Sequence, residues 1–437
     1  MVVARSGTLS PQHYLFSTFG TLGDLNPYLA VGLELRARGH RVTLATYELY
    51  RGRIESLGLG FARMRPDVPD PHDAPEMMKR LMERRYGTER ILREWVLPTV
   101  RESYEDLWEA SKDATVMVSH PLTFAVRPVA EKRGLRWAST LLQPIGMFSA
   151  HDPSMLPRGA WLIAMMRLWG PGGFRALKRL MLWYTRHWPA EVHALRAELG
   201  LPPAPNPMFD GQHSPYATLA MFSRHFAASQ PDWPASAVQT GFPFLDAAPG
   251  EALLPPELEG FLHGGPPPLV FTLGTSAVHD ARGFFHEAAE AARMLGLRAV
   301  LVSGKDPRNK LDHLPEGVMQ AEYASYAALF PRALAIMHQG GVGTTAQALR
   351  AGRPQIIHPY SHDQPDNAAR IERLGCGLAY DRPRATARSL VRVLGRLLDQ
   401  PGLATRATEL GKAISAENGV REAADALERV AAAELQG

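Results

Sequence analysis

Residues 333–377 read ALAIMHQGGVGTTAQALRAGRPQIIHPYSHDQPDNAARIERLGCG, and this stretch decides the fold. Ala333 to Met337 is a short apolar run, the pattern of a buried strand. His338 follows at its carboxyl end, and Gly340, Gly341 and Gly343 then form a loop that only small residues allow. Thr344 opens a helical stretch that runs to about Arg350, where Gly352 stops it. Strand, glycine loop and helix in that order belong to an open α/β sheet, whose ligands sit at the carboxyl ends of the strands. A helix N-terminus offers unpaired N–H groups and a partial charge of about +0.5, which suits a diphosphate. Thr344 and Thr345 add hydroxyls, and His338 adds a ring N–H. The spacing is not G-x-x-x-x-G-K-[ST], which excludes a P-loop, nor is it a G-x-G-x-x-G after the first strand. A second short strand, near Gln355 to Ile357, leads through Pro359 to His362, Asp363, Gln364 and Asn367. A carboxylate beside a carboxamide suits adjacent sugar hydroxyls.

Taken as one string, H-x-G-G-x-G-T-T…G-x-P…P…D-Q…N-A…L-G-x-G resembles the donor-binding signature of nucleotide-sugar-dependent glycosyltransferases with the GT-B fold. These form the UDP-glycosyltransferase family of macrolide, glycopeptide, sterol and plant secondary-metabolite enzymes. The resemblance implies an α/β protein with two Rossmann-like domains facing across a cleft, and C-terminal helices crossing back to the first domain. It implies that His338 and the glycine loop hold the diphosphate, and that Asp363 and Gln364 hold the sugar. Gly274-Thr275-Ser276, after the strand at Leu269 to Leu273, is a further turn able to reach phosphate. Tyr323 stands where the family stacks an aromatic on the nucleobase, but Ser325 and Tyr326 depart from the family pattern there. Gln347 falls where some relatives have a ribose-binding Glu. That leaves UDP and dTDP donors both open, with UDP-glucose favoured over dTDP-rhamnose.

The N-terminal half opens with an apolar strand at Tyr14 to Phe19, the loop Gly20-Thr21-Leu22-Gly23-Asp24, a helix from about Pro27 to Arg38, and a strand at Arg41 to Thr46. This βαβ opening predicts a parallel sheet. The string G-T-L-G-D-L-N-P resembles the first loop of bacterial members of the same family, and plant members carry a catalytic histidine at the Asp24 position. The resemblance implies that Asp24 takes the proton of the acceptor hydroxyl, although Asp is also favoured as a helix cap. His120 ends another strand, Thr115 to Ser119, and is expected to orient Asp24. Phe148, Trp161, Met165 and Trp183 belong to an aromatic and methionine-rich region expected to line an apolar acceptor pocket. The same region, interleaved with Arg175, Lys178, Arg179 and Arg186, also reads as a basic amphipathic helix on a membrane surface.

Composition sets the bounds. The chain has 437 residues, a formal charge of +4, 21% charged and 45% apolar residues, an ordinary globular balance that does not argue for nucleic acid. Cys376 is the only cysteine, so there is no disulfide framework and no cysteine metal site. The PDVPDPHD loop, with Asp67, Asp70 and Asp73, reads as solvated rather than as a metal site. No signal-peptide core and no apolar run of membrane-spanning length appear, so a cytoplasmic enzyme, free or membrane-associated, is expected, as monomer or homodimer. The expected divisions are an acceptor-binding domain over 1–246, a linker over 247–268, a donor-binding domain over 269–415, and a C-terminal helix over 416–437 packing on the first domain. The string 214–246 and the PLVFTLGTS after it resemble the rhamnosyltransferase subunit of rhamnolipid synthesis. The expected activity is inverting, metal-independent transfer of a hexose to a hydroxyl of a natural product, flavonoid, sterol or lipid, with no cofactor beyond the nucleotide sugar as co-substrate. The alternatives are a deoxysugar transferase making a glycolipid and a non-catalytic nucleotide-sugar-binding protein.

Overall fold

The computed structural model describes residues 10–69, 73–155, 163, 165, 166, 168–246, 254–381 and 383–434. Two parallel sheets organise them. The first has seven strands in the order β3-β2-β1-β4-β5-β6-β7. These are β1 (His13–Ser17), β2 (Arg41–Thr46), β3 (Gly60–Arg63), β4 (Val116–Ser119), β5 (Arg136–Leu141), β6 (Ala217–Ala220) and β7 (Ala237–Gln239). The second has six in the order β10-β9-β8-β11-β12-β13. These are β8 (Leu269–Thr272), β9 (Ala299–Val302), β10 (Val318–Ala321), β11 (Ala335–His338), β12 (Gln355–Ile357) and β13 (Gly377–Ala379).

Central strands such as β1, β4, β8 and β11 are buried along their whole length, as expected when helices cover both faces. In each sheet the chain reverses its direction of growth once, between β1 and β4 and between β8 and β11. Ser17 pairs with Ser119 and Met337 with Phe271 at those two points. Open sheets bind ligands in the crevice at such a switch. The segments that lead to Asp24, His120, Gly274 and Gly340 all leave from the carboxyl ends of these four strands.

Several local expectations are corrected. The first helix runs Leu22–Ala37, so Asp24 lies inside its first turn and Pro27 lies within the helix. The glycine-loop helix runs Val342–Arg350 and starts two residues before Thr344. The expected helical stretch after Met77 is cut into Pro75–Leu81, Gly87–Arg90, a π-type turn at Ile91–Val96, and Val100–Ala110. Part of the expected linker is the helix Pro256–His263, whose Leu258 and Leu262 are buried against Val270, Val300 and Ile336 of the second sheet. The edge strands β3 and β7 were not foreseen.

The last described helix, Gly419–Ala432, packs Ala423, Ala424 and Leu427 into the core of the first sheet. Arg38, at the end of the Asp24 helix, holds it with ion pairs to Asp425 at 2.6 Å and Glu428 at 2.7 Å. Cys376 is wholly buried, a small packed residue, and burial pushes its thiol up to about 12.

Candidate active site

The site forms where two helix N-termini meet. A Cβ built on Gly343, in the first turn of the glycine-loop helix, would stand 3.8 Å from the Cα of Gly23, in the first turn of the Asp24 helix. In the glycine-loop helix the first internal bond is Thr345 N–H to Gly341 O at 2.9 Å, so the amides of Val342, Gly343 and Thr344 have no helical partner. Two converging helix ends give the cleft a positive field suited to a diphosphate.

Asp24 divides its carboxylate between two tasks. Its Oδ2 accepts the Thr21 N–H at 2.8 Å, half of a capping box. Gly20 permits this, because its φ is +132° and a Cβ there would lie 2.2 Å from Asp24 Oδ2. Two tyrosines fix that glycine: its N–H donates to Tyr47 Oη, and Tyr50 Oη donates to its carbonyl, each at 3.1 Å. The other oxygen, Oδ1, stands 3.7 Å from Nε2 of the buried His120. His120 Nδ1 accepts the Leu122 N–H at 3.2 Å, so Nε2 is the ring nitrogen that faces Asp24 as a donor. Asp24 Oδ1 and His120 Nε2 thus face each other beyond direct hydrogen-bond length. A crevice of about 30 Å³ lies behind His120, walled by Phe124, Trp137 and Gln212. It has room for only a water or two, so an acceptor must reach Asp24 from the cleft side.

On the facing domain, His338 is wholly buried and does not point at the cleft. Its Nδ1 accepts the Gly340 N–H at 3.0 Å, and its Nε2–H donates to Gln355 Oε1 at 2.8 Å. Burial lowers its pKa to about 4, so the ring is neutral. The expected diphosphate donor is therefore corrected to a bracket that shapes the glycine loop. Gly340 is required there: its φ is +91°, and a Cβ would meet Ile357 Cγ2 at 2.4 Å. Thr345 is also spent internally, its hydroxyl donating to Gly341 O at 3.0 Å. Thr344 makes no such bond.

Asp363 stands at the N-cap position of the helix Gln364–Leu374, and its side chain accepts from Asn367 Nδ2 at 2.7 Å rather than from the helix backbone. That amide also donates to Gly340 O at 2.8 Å, tying the carboxylate to the glycine loop. Burial, reinforced by the charge of Asp24 across the cleft, raises Asp363 to about 7. Gln364 is corrected in part: its Oε1 is taken by the N–H groups of Tyr360 and Ser361, at 2.7 and 3.1 Å, so only its amide N–H groups remain for a sugar. Gln339 Oε1, Ser361 Oγ and Asn367 Oδ1 are buried beside this site without a partner in the protein, acceptors and donors that a ligand can satisfy.

Thr275 is exposed and Ser276 half-buried on the neighbouring loop. Tyr323 is exposed at the rim, while Tyr326 stacks on Phe330 and hydrogen-bonds Thr272 at 2.8 Å. Ser325 caps the short helix Tyr326–Leu329. Phe148 packs on Phe209, ring centres 4.6 Å apart. Met165 and Trp183 are exposed on the surface rather than lining a pocket, which corrects the acceptor reading for both. Trp161 lies outside the described residues. Among the described residues, no group of three His, Cys, Asp or Glu is placed to hold a metal.

The sequence reading missed the ties that join the two domains across the cleft. Met82, from the first domain, is buried in the second sheet's core. His362, at φ +58°, places Nδ1 2.9 Å from Thr88 Oγ1 and also donates from its ring to the Leu81 carbonyl. Burial lowers His362 to about 4, so Nδ1 accepts the Thr88 hydroxyl. Arg84 pairs with Asp381 at 2.7 Å. The buried Arg370 binds Asp366 at 2.8 Å and reaches across to Asp152, while Asp366 accepts the Met155 N–H at 2.8 Å. His362 has a signal in hindsight, since it directly precedes Asp363. Its partners, nearly three hundred positions away, had none.

Comparison with known proteins agrees with this architecture. Residues 14–118 match the glycosyltransferase family 28 N-terminal domain, and residues 294–430 match the family described as erythromycin biosynthesis protein CIII-like, C-terminal domain. The O-mycaminosyltylonolide 6-deoxyallosyltransferase of Streptomyces fradiae is 33% identical over 93% of this chain and 94% of its own length. The chain belongs to the UDP-glycosyltransferase family. It is a glycosyltransferase with the GT-B fold. A sterol 3-beta-glucosyltransferase of Candida albicans is 27% identical over 94% of this chain but only 27% of its own length. The solved glycosyltransferase VinC, in complex with dTDP, superposes with a TM-score of 0.67 at 21% identity, over 96% of this chain and 99% of that one. No described helix is long and apolar enough to cross a membrane.

Proposed function

We propose that this glycosyltransferase moves a hexose from a nucleotide sugar to a hydroxyl of an apolar polycyclic or macrocyclic small molecule, with inversion at the anomeric carbon. The carrying observation is the meeting of Asp24 Oδ1, backed by the His120 Nε2–H at 3.7 Å, with the glycine loop and Asp363 of the facing domain. The acceptor O–H gives its proton to Asp24 while its oxygen bonds to the anomeric carbon. The bond from that carbon to the diphosphate oxygen breaks on the opposite face, and the nucleoside diphosphate leaves with the electron pair. The free amides of Val342, Gly343 and Thr344 and the two helix ends stabilise the leaving charge. Asp363 and the amide group of Gln364 hold sugar hydroxyls, and Tyr323 flanks the nucleobase. The macrolide and sterol relatives support an apolar acceptor with a hydroxyl. The name of the Streptomyces relative and the dTDP held by VinC favour a dTDP-deoxyhexose over UDP-glucose as donor.

The test is a panel of UDP- and dTDP-sugars against macrolide aglycones and sterols, read by mass spectrometry, with the anomeric configuration of any product assigned by NMR. A product of inverted configuration is expected. A retained configuration would refute the single displacement, and a panel without transfer despite donor binding would favour a non-catalytic nucleotide-sugar-binding protein.

A further inference from the structure

Of the ten large apolar residues exposed among the described ones, six fall between positions 165 and 184. Leu168 is 84% exposed, Trp169 71% and Trp183 61%. Scattered exposed apolar residues need no explanation, but a cluster does. The helix Gly170–Tyr184 buries only Gly173 and Phe174, and Phe174 anchors it to Ala150 and Ile163. Its outer face carries Arg175, Arg179, Leu180, Trp183 and Tyr184. The charge is one-sided. Between Asp152 and Glu191 there is no acidic residue, against five arginines and one lysine. Lys178 is held by Asp210 at 2.8 Å, and the guanidinium of Arg186 lies 4.8 Å over the Trp183 ring. Among the described residues Arg175 meets no carboxylate, and its guanidinium stands 3.4 Å from the His151 ring.

Indole and phenol rings beside guanidinium groups that meet no carboxylate among the described residues match the boundary between lipid headgroups and acyl chains. The rings enter the apolar layer and the cations meet lipid phosphates. At fifteen residues the helix is about 22 Å long and lies on such a surface rather than crossing it.

We propose that the 165–184 face rests in the plane of an anionic lipid surface, through Trp169, Leu180, Trp183 and Tyr184 with Arg175 and Arg179 at the phosphates. Its base is the turn carrying Ala150 and Asp152, so the contact would hold the acceptor-binding domain, and with it the mouth of the cleft, against the lipid. The inference does not rest on the donor or on the chemistry at Asp24.

The experiment is sedimentation of the full chain with vesicles of phosphatidylglycerol and phosphatidylcholine, and with phosphatidylcholine alone, at low and high salt. The protein is expected to sediment with the anionic vesicles, and high salt to release it. Trp169→Ser with Trp183→Ser, and Arg175→Glu with Arg179→Glu, are each expected to weaken binding at least tenfold. Both pairs are exposed, so melting temperatures should match the parent and show that the variants fold. Absence of sedimentation with anionic vesicles, or equal binding by parent and variants, would overturn the proposal. So would substitutions that abolish self-association in light scattering while vesicle binding stays unchanged, since the face would then dock protein.

Discussion

Donor affinity is expected to rise about tenfold between about pH 6 and about pH 8, and Asp363→Asn is expected to abolish that rise. Burial and the facing charge of Asp24 hold Asp363 near pH 7. Its ionised fraction therefore climbs from about a tenth to about nine-tenths over that interval. Sugar hydroxyls donate hydrogen bonds to a carboxylate, so the ionised form is the competent one, and the apparent dissociation constant scales inversely with its population. The sign follows: for this raised acid, competence is gained as pH climbs through the folded value. His338 and His362, both lowered to about 4, stay neutral throughout and do not contribute. The assay is calorimetric titration with an intact nucleotide sugar, because a free nucleoside diphosphate has its own ionisation near pH 6. Asp24→Asn should move the midpoint to lower pH, since it removes a facing negative charge. An affinity that is flat, or that falls with pH, would refute the reasoning. So would a rise that survives in Asp363→Asn.

Other consequences follow from the ties across the cleft. Thr88→Val removes the hydroxyl that His362 accepts, a loss of about 1 kcal/mol. The donor KM should rise about fivefold while kcat stays close to the parent; an unchanged KM would show that the tie does not shape the donor site. Arg370→Met leaves the buried Asp366 without its cation and Asp152 with Arg373 alone. A cost of about 3–5 kcal/mol is expected, visible as a lowered denaturation midpoint, and a change under about 0.5 kcal/mol would count against it. His120→Ala should lower kcat at least tenfold with an unchanged donor dissociation constant, and near-normal turnover would show that Asp24 needs no orienting group.

The fold was legible because its signals are local. A run of apolar residues ending in a glycine loop states both the strand and the turn, and β1, β8 and β11 each carry that pattern. Edge strands β3 and β7, three or four residues long with no buried run, carry almost none. Asp24 was legible as a residue, but its division between a cap and a cleft-facing oxygen depends on a rotamer that only Gly20 permits. His338 was misread for a related reason. Position at the end of a strand does not say which side the ring takes, and here Gln355 on the neighbouring strand captures it. The contacts of Thr88 with His362 and of Asp152 with Arg370 join positions hundreds of residues apart, and no pattern within either segment announces them. In the 165–184 region the amphipathic pattern was visible, but whether its apolar face turns inward or to the surface is a tertiary matter.

The central claim is that Asp24 is the base for glycosyl transfer at a donor site it does not itself build. The most direct measurement is kcat of Asp24→Asn near pH 8, with the donor dissociation constant determined alongside. Turnover is expected to fall about 10²–10⁴-fold with donor affinity within about twofold of the parent. Turnover within a few fold of the parent, with donor bound as tightly, would contradict the account.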